Sequence, residues 1–407
     1  MIIITLLISI VSSYQIWQVT DVHFDANYKE GSDPNTVCRS GEGTARKIGD
    51  YSCDTTNEVL TSVPKFVNYH TKNENHNKIL IYNGDILPRK LGEYDDMYLK
   101  EGLDNATKFL KEFNRFEVIP MLGNHDALPE NYHDESKSLL FRYAAKKYSR
   151  WLPQSALETF KRGGYYTKEI IGTEEEEKTY VVVLNTVLYY TFNKLTENDT
   201  DPIDQFKWFK ETMDKYKEEN KKVIIAAHIC PGVSERYNWS EQMYNQYDDK
   251  LIDLITEYSD ITIGMICGHL HLDTYRIMQS KDKKKTVIGF LSPSLDTYLG
   301  INPSIRLYDI KGGVIQSYVN YYVDLNKTEV QWKFNYNATQ EYNLKDLSPN
   351  SMISLAQRMH SNRTLHDIWY EHMRADSHMY QCDDKCWNNN LCALEHPRNS
   401  EKDCYKW

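Results

Sequence analysis

The strongest constraint in this chain is a pattern met five times. A short apolar run, rich in β-branched residues, ends in a cluster of polar side chains. Residues 16–20 lead into Asp21-Val22-His23, and residues 79–82 into Asn83-Gly84-Asp85. Residues 118–122 lead into Gly123-Asn124-His125-Asp126, and residues 223–227 into His228. Residues 261–266 lead into Cys267-Gly268-His269-Leu270-His271. Runs this short and this β-branched favour strand over helix. Between them lie apolar residues at helical spacing: Val59, Val63, Phe66 and Val67; Leu103, Ala106, Leu110 and Phe113; and, after Asp201-Pro202, Phe206, Phe209, Met213 and Tyr216. Strands alternating with helices predict an α/β architecture with a largely buried sheet. In such sheets ligands bind beyond the carboxyl ends of the strands, which is where all five clusters fall.

Collected, the strand-end residues are Asp21, His23, Asp85, Asn124, His228, His269 and His271. Four imidazoles, two carboxylates and one amide oxygen suit two borderline divalent ions. A bridging carboxylate lets two such ions sit about 3.5–4 Å apart and activate a water between them. One histidine at a strand end is usually structural. Seven ligand-type residues at five strand ends point to a site. Gly84, Gly123 and Gly268 precede ligands, where the lack of a Cβ permits unusual φ and close packing.

Charge and targeting signals narrow the setting. Over 407 residues, 48 Lys+Arg against 58 Asp+Glu leave a net charge of −10. That balance argues against a nucleic-acid polymer as partner, while a metal-supplied anion site stays compatible with it. Residues 2–11 are continuously apolar, too short a run to span a bilayer comfortably. Val11-Ser12-Ser13 follows, so residues 1–13 are predicted to be a signal peptide cleaved after Ser13. No later run predicts a transmembrane anchor, and the expected location is secreted or a lysosome-like lumen. Sequons at Asn105, Asn198, Asn238, Asn326, Asn337 and Asn362 are candidate N-glycan sites.

The cysteines fall into groups. Cys38 with Cys53, and Cys382, Cys386, Cys392 and Cys404 at the end of the chain, are expected to form disulfides closing short loops. A zinc knuckle is the competing reading of the last four, whose spacing matches no common pattern. Cys230 and Cys267, each ending an apolar run, are expected as buried thiols. The runs 174–177 (Glu) and 281–285 (Lys-rich) are expected at hairpin tips. After residue 324, Val330, Trp332 and Phe334 alternate as one more strand. Met352, Leu355 and Met359, then Leu365, Ile368 and Trp369, mark two helices. Residues 14–324 are therefore expected as the catalytic domain and 325–407 as a small, helical, disulfide-bonded subdomain. His366, His372 and His378, six apart, are expected on different faces at the surface.

The ordered set Asp-x-His, Gly-Asp, Gly-Asn-His-Asp, a lone His and Gly-His-x-His resembles the calcineurin-like metallophosphoesterase superfamily. The leader, the segment carrying Cys38 and Cys53, and the Cys-rich tail resemble, within it, the acid sphingomyelinase-like phosphodiesterases. This resemblance covers nearly the whole mature chain. It implies a β-sandwich flanked by helices (α/β/β/α) and a binuclear zinc site. One zinc would take Asp21, His23 and His271, the other Asn124, His228 and His269, and Asp85 would bridge. Metal-bound hydroxide would attack phosphorus, with His125 beside the leaving group as general acid.

One position departs from the family. Four residues after the bridging aspartate, where similar members carry histidine, this chain has Arg89. Arginine does not give up its proton but can bind a phosphate oxygen. Arg89 is thus expected to favour substrates with good leaving groups, such as pyrophosphates. Pro88 stands where purple acid phosphatases need a tyrosine. Only about seven mature residues precede Asp21, which leaves no room for the lipid-presenting module of true sphingomyelinases. The expected activity is that of a secreted phosphodiesterase acting on small, soluble, nucleotide-type phosphodiesters or phosphoanhydrides, from a monomer with two Zn²⁺. Sphingomyelin hydrolysis, and a secreted binding protein with a vestigial metal site, are the alternatives.

Overall fold

The computed structural model describes residues 13–72, 78–89, 95–170, 178–236 and 240–405. The leader up to residue 12, the glutamate run 174–177 and Asn238 lie outside the described residues. The first strands are β1 (Ser13–Val19), β2 (Lys78–Tyr82), β3 (Phe116–Pro120), β4 (Tyr166–Glu169), β5 (Thr179–Leu184) and β6 (Lys222–Ala227). A short ribbon, β7 (Val233–Ser234) with β8 (Ser240–Glu241), follows. The remainder are β9 (Thr262–Cys267), β10 (Thr274–Gln279), β11 (Thr286–Leu291), β12 (Ser304–Lys311), β13 (Val314–Val323) and β14 (Trp332–Asn337).

Twelve of these strands form two six-stranded sheets, ordered β14-β13-β12-β1-β2-β3 and β10-β11-β9-β6-β5-β4. Strands β1, β2 and β3 are parallel, as are β5, β6, β9 and β11. They are buried almost throughout, as parallel strands covered on both faces should be. The two sheets share one hydrophobic core. Polar bonds also cross between them: Gln18 Nε2 donates to the Cys267 carbonyl at 2.9 Å, and Asn83 Nδ2 to the Ala227 carbonyl at 2.8 Å. Those bonds sit at the carboxyl ends of β1, β2, β6 and β9, so the ligand-bearing ends of both sheets share one rim.

Helices cover the outer faces. The helix Asn57–His70 starts where Thr56 Oγ1 accepts from the Val59 N–H, and it buries Val59, Val63 and Val67. Its Phe66 meets Trp17 of β1 edge-on. The helix Gln205–Glu218 lies on the second sheet, with Tyr216 stacked on Tyr180 of β5. Helices Pro349–Ser361 and Arg363–His372 form where the apolar spacing predicts two helices. β14, from the segment after residue 324, pairs with β13 as the edge strand of the first sheet. The Lys281–Lys285 stretch is the tip of the β10–β11 hairpin.

Disulfides join Cys38 to Cys53, Cys382 to Cys386 and Cys392 to Cys404, closing short loops as expected. Two expectations are corrected. Cys230 and Cys267 are not thiols: they form a fourth disulfide. β6 and β9 are parallel neighbours, so their carboxyl ends meet although the chain between them is long. His366 is not at the surface. It is buried on Arg363–His372 among Trp369, Tyr370 and Trp387, and burial pulls its imidazole down to about 4. His372 is half-buried and stacks on Tyr336, while His378 is exposed.

Candidate metal centre

All seven strand-end residues converge at the shared rim. Asp21 Oδ1 lies 3.3 Å from His271 Nε2 and 4.0 Å from His228 Nε2. Asp85 Oδ2 lies 3.1 Å from His228 Nε2 and 3.7 Å from His23 Nε2. Asn124 Oδ1 is 2.8 Å from both His228 Nε2 and His269 Nδ1. Asp85 therefore stands between an Asp21–His23–His271 group and an Asn124–His228–His269 group, and three-residue clusters of suitable geometry recur around it.

The backbone aims these side chains. Asp21, His23, Asp85, His269 and His271 all have positive φ, between 40° and 68°. Asp and His are among the few non-glycine residues that enter this left-handed region, and strain there clusters at functional sites. Gly84 also has positive φ, at 94°. Gly123 and Gly268 serve by their size alone: a Cβ on Gly123 would overlap Asp85 Oδ1, and one on Gly268 would overlap Thr20 Oγ1.

The outer ring nitrogens are fixed by the fold. His23 Nδ1 donates to the Leu87 carbonyl at 2.7 Å, and His228 Nδ1 to the Asn83 carbonyl at 2.8 Å. Each leaves Nε2 turned inward, the arrangement by which proteins orient metal-binding imidazoles. The Asn124 amide N–H donates to Asn131 Oδ1 at 2.8 Å, which turns its oxygen toward the histidines. Asp21 Oδ1 and His23 Nε2 are buried and make no hydrogen bond. Buried polar atoms of this kind need a partner. Burial, with His125 and Arg89 adding to it, drives the His23 imidazole to about 3, so it is a neutral donor. Burial pulls His228 down too, but Asp85 and Asp21 outweigh it and raise it to about 9. The buried carboxylates favour positive charge at this spot, and the donor set could hold divalent ions.

His125 projects at the edge of the cluster. Its backbone N–H donates to Asp85 Oδ1 at 2.7 Å, its ring packs edge-on to His23, and its Nδ1 lies 3.0 Å from Glu130 Oε2. Burial pulls this imidazole down, while Asp85 and Glu130 outweigh it and favour the protonated ring. Arg89 stands nearby, but its Nη1 is engaged with both Asp54 and Asp296.

Several contributors escape a sequence reading. Asp126 accepts the backbone N–H groups of Asp85, Ile86 and Gly123, moulding the loop that carries the bridging residue. Its place in Gly-Asn-His-Asp was a usable signal. Glu130, Asp54 and Asp296 carry no local motif. Tyr190 packs edge-on to His269, and Phe192 packs on Tyr190.

Carboxylates and imidazoles buried at one rim of a two-sheet sandwich mark a metallophosphoesterase. Comparison with known proteins gives the same class: the calcineurin-like phosphoesterase model matches residues 14–273, and the acid sphingomyelin phosphodiesterase C-terminal region model matches 291–407. The chain is 31% identical to sphingomyelinase phosphodiesterase C of Dictyostelium discoideum, over 97% of this chain and 93% of that one. It is 30% identical to the Bos taurus cyclic GMP-AMP phosphodiesterase SMPDL3A, over 93% and 88%. It is 26% identical to the Mus musculus acid sphingomyelinase-like phosphodiesterase 3b, over 94% and 87%. The chain belongs to the calcineurin-like phosphoesterases, in their acid sphingomyelinase-like branch, and is a metal-dependent phosphodiester hydrolase.

Proposed function

We propose that this chain is a secreted or lumenal phosphodiesterase with two zinc ions, acting on small, soluble, nucleotide-type phosphodiesters or phosphoanhydrides. The observation that carries the reading is the convergence of four imidazoles, two buried carboxylates and one amide oxygen around atoms without hydrogen-bond partners. A nitrogen-rich set of this kind favours zinc over magnesium or calcium. Asp21, His23 and His271 would hold one ion, Asn124, His228 and His269 the other, with Asp85 between them. Bound there, the pair supplies positive charge to the phosphoryl oxygens and acidifies a water.

The chain's own groups do the rest. His125 gives its proton to the departing oxygen, and Glu130 holds the ring in place through Nδ1. Asp85 anchors the same residue through its backbone. A nucleotide-type substrate is supported by the likeness to the Bos taurus relative, a cyclic GMP-AMP phosphodiesterase. The sequon residues Asn198, Asn326 and Asn362 are exposed and Asn105 and Asn337 half-buried, and N-glycan acceptors of a lumenal chain need to be reachable. Among the described residues no helix is long and apolar enough to cross a membrane.

The test is a hydrolysis panel on metal-quantified protein: a cyclic dinucleotide, a nucleoside triphosphate, cytidine diphosphate-choline and sphingomyelin vesicles. Two zinc per chain and turnover of the nucleotides are expected. Sphingomyelin turnover without nucleotide turnover would make the lipid the substrate, and protein that takes up no zinc would overturn the reading.

A further inference from the structure

We propose that Arg89 is a positioning residue, holding Asp296 against the outer nitrogen of His271 and so fixing the direction of that ligand. The inference rests on the reading of the cluster as a metal site. It replaces the expectation that Arg89 meets the substrate's phosphate.

Two buried carboxylates and one aromatic ring hold the Arg89 side chain. Its Nη1 donates to Asp296 Oδ2 at 2.7 Å and is paired with Asp54 Oδ1, while its backbone N–H donates to Asp54 Oδ2 at 2.7 Å. The guanidinium carbon lies 3.9 Å from the centre of the Tyr298 ring. Asp54 and Asp296 are both fully buried. Arg39 Nη2 also lies 4.0 Å from Asp54 Oδ2, whereas Arg89 is the only guanidinium paired with Asp296 among the described residues. Removing the cation would leave two buried like charges facing each other, a costly arrangement.

Asp296 in turn faces the metal cluster. Its Oδ2 is 3.4 Å from His271 Nδ1, a charge contact rather than a formed hydrogen bond, and His271 Nε2 is 3.3 Å from Asp21 Oδ1. The Asp296 backbone N–H donates to the Asp21 carbonyl at 3.0 Å. A carboxylate behind a metal-binding imidazole sets its orientation and raises its basicity. Arg89 holds that carboxylate.

The arrangement is braced from a third side. Thr297 Oγ1 donates to the carbonyls of Asp50 and Cys53, the latter at 2.5 Å. Arg39 Nη2 donates to the Arg89 carbonyl at 3.1 Å, and Arg39 Nε to Asp25 Oδ2 at 2.6 Å. Arg39 and Asp54 each flank a half of the Cys38–Cys53 disulfide. Two segments remote in sequence, around Asp54 and around Asp296–Tyr298, therefore close on one guanidinium.

The experiment measures zinc retention by chelator competition in wild type, Arg89→Gln, Arg89→Lys, Asp296→Asn and the Arg89→Gln/Asp296→Asn double variant. Rates on a p-nitrophenyl phosphodiester and on a nucleoside triphosphate are measured alongside, at saturating zinc. Arg89→Gln and Asp296→Asn should each weaken zinc retention about 10- to 100-fold, the usual range for outer partners of metal ligands. Arg89→Lys should fall between, and the double variant should lose no more than the larger single loss. The ratio of the two rates should stay at its wild-type value. Unchanged zinc retention with a raised KM for the triphosphate overturns the proposal in favour of a phosphate contact, and additive losses overturn the coupling to Asp296. If Arg89→Gln does not fold, Arg89→Lys and Asp296→Asn carry the same comparison. Wild type that takes up no zinc defeats the functional reading itself, whereas wild type and variants retaining zinc equally defeat only the positioning role.

Discussion

Cys230 and Cys267 are covalently joined, and the bond lies two residues beyond His228 and two residues before His269. It ties the ends of β6 and β9 together behind two candidate ligands. The sequence separation of 37 residues corresponds to about 4 kcal/mol in the chain-entropy account of disulfides. Replacing both cysteines by serine should lower the unfolding free energy by about that amount. Urea unfolding of the variant and wild type checks this, and an unchanged midpoint would count against the bond.

Asp85 is the residue on which the two ligand groups meet. Asp85→Asn removes a charge from between His228 and His23 while leaving the shape nearly intact. We expect kcat/KM to fall at least about 100-fold, equivalent to ~2.7 kcal/mol, together with a loss of bound metal. Retained activity at normal metal content would refute the assignment of Asp85 as the bridging ligand.

His125 should matter in proportion to how badly the leaving group needs a proton. General acids contribute about 10²–10⁴ in rate. His125→Gln should therefore slow an alkyl phosphodiester by about 100-fold or more, and a p-nitrophenyl diester far less. Equal losses on the two substrates would assign His125 a structural role.

Asp248 couples stability to pH well away from the metal cluster. Its carboxylate accepts the Gly232 and Asn399 N–H groups at 2.9 and 3.0 Å, and burial pushes it up to about 7 from an ordinary 3.8. The folded chain thus binds this proton more tightly than the unfolded one. The contribution is fully present below about pH 4 and is lost as pH rises toward 7. Asp248→Asn cannot titrate, so it should gain on wild type across that window, by on the order of 4 kcal/mol. Thermal unfolding of both proteins from pH 4 to 7.5 checks this. Parallel curves would exclude Asp248 as the titrating group.

The sequence exposes what is local. Asp21, Asp85 and His228 are visible because each follows a strand-like run, and the carboxyl ends of parallel strands are where α/β sheets bind ligands. The helix Asn57–His70 is visible through its apolar spacing. Contacts made by tertiary adjacency stay hidden. Cys230 finds Cys267 only because β6 and β9 are neighbours, and Arg89 finds Asp296 only once loops remote in sequence have packed. His366 shows the same limit: six-residue spacing says nothing about the Trp369 and Trp387 rings that bury it.

The left-handed turns at Asp21, His23, Asp85, His269 and His271 filter residue types independently of chemistry. A backbone in that region favours Asp, Asn, His and Gly and strains β-branched side chains, which enter it at Val37 and Ile203. Three of those four are also metal donors. Exchanges among Asp, Asn and His at these positions can therefore retune the ions held without rebuilding the loops, whereas Val, Ile or Thr would add backbone strain as well as removing a donor. A redesign of the metal preference has its permitted alphabet written into the main chain.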